Sequence, residues 1–345
     1  MIDPQAAAVL ELMTSGPPLN RLGVAGARQW SARVGRSPGP PDPALDVREA
    51  KVPTAAGPTA AGPAAAGPAT TGPATTGPGT AGPVPVRVYR RADVTQAPVV
   101  IFLHGGGWIL GSLDSADDTC RHFALASGCT VVSVDYRLAP EHVVPAALED
   151  SLTVVRWVAA GGADAGGADP DRPPLAICVA GESSGGQLAA STCLAARDAG
   201  LGPVALQLLV CPVIDARMGT PSWRELGDRY LPCAEQMSWM WDLYAGAPEA
   251  RHQPLVSVGE APDLRGLPPA LILTAEFDPL RDEAEQYGER LREAGVAARL
   301  RRCDGQVHTV FGCAPAVDRC RQILDETAHD VARALGAVPL EGRSG

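Results

Sequence analysis

From residue 97 onward, short continuous apolar runs alternate with stretches in which apolar residues recur every three or four positions. The runs are PVVIFL (98–103), CTVVSV (129–134), LAICVA (175–180), VALQLLV (204–210), ALILT (270–274) and AARLR (297–301). Helix-period stretches fill 116–126, 145–160, 186–199, 282–294 and 315–335. Strands this uniformly apolar are buried on both faces. Separated by amphipathic helices, they predict an α/β fold built on a mostly parallel sheet with helices on either side. Two further strand-like segments precede them, LDVREAKV (45–52) and VPVRVYR (84–90). Ahead of those, Ala7, Leu10, Met13, Leu19 and Leu22 fall near helical spacing and predict a helical lead-in over 1–36.

Two segments break the alternation. Over 53–83 the dipeptide Gly-Pro recurs at 57, 62, 67, 72, 77 and 82, a period of five with Ala and Thr between. A triple helix needs glycine every third residue, so this is not collagen. Such a composition buries too little apolar area to offset its ordering entropy, which predicts a disordered or polyproline-like loop. It lies between two strand-like segments, so it is expected to be an expanded connection within a strand pair. The second break, 212–268, is too long for a simple crossover. It holds Trp223, Tyr230, Trp239, Trp241 and Tyr244. The expected organisation is therefore N-terminal cap helices over 1–44, a first core part over 45–211, a cap insertion over 212–268 and a second core part over 269–345.

Composition narrows the functional classes. The chain has 345 residues, which suits one large α/β domain with additions. Its formal charge is −10 and Lys51 is its single lysine, so a phosphate backbone is repelled and nucleic acid is excluded as a partner. Nine cysteines are scattered without C-x-x-C spacing, several inside apolar runs such as Cys178 and Cys211. That pattern points to free thiols in a reducing compartment. MIDPQAAAVLELM carries acids where a signal peptide carries bases, and no run approaches the ~18 apolar residues of a membrane span. A cytoplasmic protein without a membrane partner is expected.

The chemistry concentrates in a few places. Gly181-Glu182-Ser183-Ser184-Gly185-Gly186 stands between the strand LAICVA and the helix QLAASTCLAARD. Strand, G-x-S-x-G, helix is a nucleophile elbow, whose turn is too tight for side chains at −2 and +2. Ser183 meets that demand through Gly181 and Gly185; Ser184 does not, because Glu182 stands at its −2 position. His104-Gly105-Gly106-Gly107-Trp108 ends the strand PVVIFL. Its glycines let backbone N–H groups approach a substrate, so Gly105 and Gly106, with Ser184, are the expected oxyanion hole. The serine needs a base and the base a carboxylate. Of six histidines, His308 alone sits late in the sheet, between AARLR and the last helix. The acid must lie between serine and histidine in this chain order. Asp278 follows ALILT directly and is favoured; Asp282 is expected to cap the next helix, and Glu276 is a weaker rival. No motif calls for a metal or cofactor.

These residues resemble the bacterial hormone-sensitive-lipase-like esterases, an α/β-hydrolase family, from about residue 84 to 335. The resemblance rests on HGGGW (104–108), DYRLAPEH (135–142), AALED (146–150), GESSGG (181–186), FDPLRDEAE (277–285) and GQVH (305–308). It implies an eight-stranded sheet, a helical cap and ester hydrolysis without metal or cofactor. It also implies short- to medium-chain acyl esters as small-molecule substrates and Ser183, His308 and Asp278 as the triad. Glu182 and Ser184 stand where the family commonly has Asp and Ala, and Thr309 where it commonly has Gly. An amide or N-acetyl deacylase would use the same triad, and a binding protein on the same fold would have a disabled one; here all three positions are intact. The oligomeric state is left open, a homodimer included.

Overall fold

In the computed structural model, residues 1–34, 42–54, 82–163, 175–202 and 204–337 are described. Each apolar run forms a strand: β1 (Leu45–Val52), β2 (Val84–Arg91), β3 (Val99–Leu103), β4 (Thr130–Val134), β5 (Ile177–Glu182), β6 (Val204–Val210), β7 (Ala270–Phe277) and β8 (Ala298–Val307). They hydrogen-bond as one sheet in the order β1-β2-β4-β3-β5-β6-β7-β8. β2 runs antiparallel to β1 and β4, and all other pairs are parallel. The helices are α1 (Pro4–Thr14), α2 (Leu19–Val34), α3 (Asp117–Ser127), α4 (Ala146–Ala159), α5 (Ser184–Asp198), α6 (Pro221–Leu226), α7 (Ala234–Ala245), α8 (Arg281–Glu293) and α9 (Asp318–Leu335).

Side chains of a strand alternate between faces, so a run buried throughout feeds two cores. Val99, Ile101 and Leu103 pack with Val154, Val155 and Val158 of α4, Leu188 of α5 and Leu291 of α8. Val100 and Phe102 pack the other way, with Phe123 of α3, Ile323, Leu324 and Val331 of α9, and Ala6 of α1. Burial in α9 at Cys320, Ile323, Leu324, Thr327, Ala328, Val331 and Leu335 follows the helical period.

β8 is twice the length that AARLR suggests, reaching Val307. Over residues 299–304 this edge strand fully buries only Cys303, and its polar residues conceal the strand from an apolar pattern. His308 consequently follows the strand with no intervening loop. Over 212–268 the chain forms α6, α7 and two 3-10 turns, Pro248–His252 and Val258–Glu260. Its start is fastened by Glu283, whose buried carboxylate accepts from Ile214 N (2.8 Å), Asp215 N (3.2 Å) and Trp223 Nε1 (2.7 Å). Asp282 does not cap its own helix. It lies one residue inside α8 and accepts from Ser222 N at 2.8 Å, so it satisfies an N-terminal donor of α6.

The Gly-Pro repeat falls outside the described residues over 55–81. Its flanks are described: Val52 stands opposite Val84 in the β1–β2 ladder. Those positions lie close enough for a short turn, and a long loop differs from a short one by only about 0.6 kcal/mol per doubling. Replacing residues 56–81 by a short glycine-containing turn is expected to leave soluble yield and Tm nearly unchanged, as measured by expression and thermal melting. A collapse of soluble yield would give the repeat a structural role.

Candidate active site

The parallel strands place four turns at one edge of the sheet. β3 delivers His104, β5 delivers Ser183, β7 delivers Asp278 and β8 delivers His308. Ser183 has φ 59° and ψ −120° between strand and helix. The tightness that predicts glycine on either side is visible atom by atom. A Cβ on Gly181 would run into the Gly185 carbonyl, and one on Gly185 into the carbonyls of Leu103 and His104. Ser183 N donates to Val210 O at 2.9 Å, which ties the turn to β6.

His308 Nε2 lies 2.9 Å from Ser183 Oγ, and His308 Nδ1 lies 2.8 Å from Asp278 Oδ2. The other oxygen of Asp278 accepts from Leu280 N at 2.9 Å, which fixes the carboxylate plane. Asp278 is fully buried. Burial alone would push His308 down, but the charge and hydrogen bond of Asp278, with a contribution from Glu182, hold it above its ordinary value. The two rival carboxylates point elsewhere: Glu276 accepts from Gly305 N at 2.7 Å, and Asp282 serves Ser222. Of the remaining histidines, His122 pairs with Asp325 and His252 with Glu260.

The glycine turn packs against the serine. A Cβ on Gly105 would sit 3.5 Å from Ser183 Cβ and 3.2 Å from Glu182 O. Gly106 has φ 124° and its carbonyl accepts from Ile109 and Leu110 N. Among the described residues, the N–H groups of Gly105 and Gly106 donate to no backbone carbonyl. Ser184 is the first residue of α5, so its N–H lies outside the helix's own ladder. The turn thus brings Gly105 against Ser183, and Ser183 stands at the N-terminal end of α5, where the helix dipole favours negative charge.

Several residues that serve this arrangement escape a reading of the sequence. Tyr136 donates to His104 O at 2.8 Å and stacks on the His104 ring at 4.3 Å between centroids. Arg137 grips Asp150 at 2.9 Å, which explains why DYRLAPEH and AALED belong together. Glu182 is buried at the end of β5 and accepts from Phe311 N (2.7 Å) and Gly312 N (3.2 Å), clamping the segment that follows His308. Burial pushes its carboxyl up to about 7 against these two donors and His308. Thr309 has φ 63°, a conformation that favours glycine, and its hydroxyl donates to His308 O at 2.6 Å. Trp108, Ser183, Cys211 and Met218 also take positive φ without being glycine.

Cys211 Sγ, an Asp278 oxygen and a His308 nitrogen lie within 4.8 Å of one another, a donor set of the kind divalent cations take. Both His308 nitrogens and the Asp278 oxygen already serve the chain described above, so a cation there would compete with a proton. All nine cysteines are free, and no described helix is long and apolar enough to cross a membrane.

Comparison with known proteins identifies the fold and the family. A family described as alpha/beta hydrolase fold matches residues 100–312. The esterase LipI of Mycobacterium tuberculosis is 42% identical over 226 residues, 65% of this chain and 69% of that protein. The carboxylesterase NlhH of the same species is 40% identical over 258 residues, covering 74% of this chain and 79% of its own. Among solved structures, a thermostable esterase from Pseudomonas putida ECU1011 superposes with a TM-score of 0.81. It is 31% identical and covers 97% of this chain and 98% of its own.

Proposed function

We propose, for a chain that belongs to the hormone-sensitive-lipase-like esterases of the α/β-hydrolase family, that it hydrolyses small carboxylic esters with Ser183 as nucleophile. The observation that carries the reading is the hydrogen-bonded series Ser183 Oγ, His308, Asp278 beside the donors of Gly105, Gly106 and Ser184. Ser183 Oγ attacks the ester carbonyl while His308 Nε2 takes its proton. Asp278 keeps the proton of Nδ1 in place and stabilises the imidazolium that forms. The tetrahedral oxyanion is met by the three N–H groups; one such donor is worth about 10²–10³ in rate. His308 then protonates the departing alcohol. Water, deprotonated by the same imidazole, releases the acid from Ser183. None of these steps calls on a metal or cofactor.

The helices α1 and α2 with 212–268 serve as the cap, making an enclosed pocket. Trp223 donates to a core carboxylate and Trp241 packs tilted against Trp108, so these aromatics sit inside the cap and form no greasy outer face. Enclosed apolar pockets suit acyl chains of roughly two to eight carbons. Cytoplasmic residence is supported by the nine free thiols. The test is kcat/KM across an aryl ester series and a matching N-acyl series, with dissolved and emulsified substrate compared. Short to medium esters are expected to lead, with no jump at the solubility limit. Preference for N-acyl substrates would make it a deacylase, and a jump on long-chain emulsions a lipase.

The pH dependence follows from the site. His308 must be neutral to take the proton, and its neighbours hold it above its ordinary value. The acid limb of kcat/KM is therefore expected above the range of an unperturbed histidine. Glu182→Gln removes a carboxyl that, in its ionised form, favours imidazolium, so the limb should move to lower pH. A pH–rate profile of both proteins decides it, and an unmoved limb would reject the Glu182 contribution.

A further inference from the structure

The oxyanion turn is built from residues that cannot hold themselves in place. Gly105, Gly106 and Gly107 carry no side chains, and two of them have positive φ. Their N–H groups can aim at one point only if both ends of the turn are fixed. Tyr136 fixes the first end through His104 O. At the other end the first available side chain is Trp108.

Trp108 is fully buried, and its Nε1 donates to Gln187 Oε1 at 2.9 Å. Gln187 is also fully buried and lies one helical turn beyond the nucleophile, with Gln187 N donating to Ser183 O at 3.1 Å. Its Nε2 donates to Ser191 Oγ (2.6 Å) and to Val256 O (2.9 Å), and Ser191 Oγ donates on to Leu255 O (2.8 Å). Exchanging the amide's oxygen and nitrogen would set a donor against Trp108 N–H and an acceptor against Val256 O, so the orientation is determined. The Trp108 ring lies parallel to Tyr244 of α7 at 4.2 Å between centroids, and Met240 of the same helix rests on Gly107. The turn, the nucleophile's helix and the 212–268 segment thus meet at one buried amide.

We infer that Gln187 is a positioning residue that holds the oxyanion turn in register with Ser183 by tying Trp108 to the backbone of residues 255–256. It touches no reacting atom. It acts through Trp108 and rests on the esterase reading of the same site.

The experiment compares Gln187→Leu, Trp108→Phe and the double variant with the wild type. A soluble trifluoromethyl ketone serves as the probe of the oxyanion: Ser183 Oγ adds to its carbonyl carbon, the C=O π pair becomes the alkoxide, and the serine proton passes to His308. Each single variant is expected to lose about 10- to 100-fold in kcat/KM on a short aryl ester, less than an outright loss of an oxyanion donor. KM should change by less than about threefold, and ketone affinity should weaken by the same factor as kcat/KM. Trp108→Phe keeps an aromatic ring beside Tyr244 while removing the N–H and one ring of the indole, so it breaks the tether even if Gln187→Leu does not fold. The double variant no longer leaves the Trp108 N–H facing an apolar side chain, although Val256 O still loses its donor, so Tm should recover in part over Gln187→Leu while kcat/KM stays low. Unchanged kcat/KM and ketone affinity in the single variants, or recovery of both in the double variant, would overturn the inference alone. A wild-type chain that neither cleaves esters nor takes a fluorophosphonate label would overturn the esterase reading and this inference with it.

Discussion

Ser183→Ala is expected to abolish turnover and fluorophosphonate labelling, with a loss of about 10⁶ in kcat. The two adjacent serines make the comparison sharp. Ser183 sits at φ 59° with its Oγ 2.9 Å from His308 Nε2. Ser184 is the first residue of α5 and contributes its backbone N–H, which alanine retains. Ser184→Ala should therefore keep its label and most of its activity. Intact labelling of Ser183→Ala, read by mass spectrometry of the modified peptide, would move the nucleophile elsewhere.

Asp278→Asn is expected to cost about 10⁴ in kcat with little change in fold. The amide can still accept from Leu280 N, but it cannot both do so and keep His308 Nδ1 protonated and oriented. Asp282→Asn is the contrasting variant. Its carboxylate caps α6 through Ser222 N, and loss of a cap is worth about 1 kcal/mol, to be seen in Tm and not in kcat. The reverse ranking of the two variants in a matched set of kinetics and melts would mean that the wrong carboxylate has been assigned to the histidine.

The sheet is legible in the sequence because its central strands are buried on both faces: PVVIFL and CTVVSV become β3 and β4 within one residue at their starts. β8 is only half legible, since an edge strand with Arg299, Arg301 and Arg302 hides its period from an apolar count. The elbow and the glycine turn are legible because sterics leave so few residue types possible there. What is not legible is everything that depends on distant chain meeting at one point. Glu182 reads as a substitution beside the serine, yet its partners stand 129 and 130 residues away. Gln187 reads as one more helical residue until Trp108 and residues 255–256 are seen around it. Asp282 reads as the cap of its own helix, and the helix it caps lies 60 residues earlier.

Among the described residues, five non-glycine residues hold positive φ, and of these Trp108, Ser183, Cys211 and Thr309 lie in or directly beside the candidate machinery. Each such residue costs on the order of 1–3 kcal/mol relative to a relaxed backbone. Natural selection for turnover therefore works uphill at these sites, and neutral drift works the other way. Glycine at 183 would relax the elbow and silence the protein in one step, leaving the pocket intact. A descendant freed from catalysis could become sturdier simply by losing its chemistry, which makes a ligand-binding offshoot the thermodynamically easy path out of this lineage.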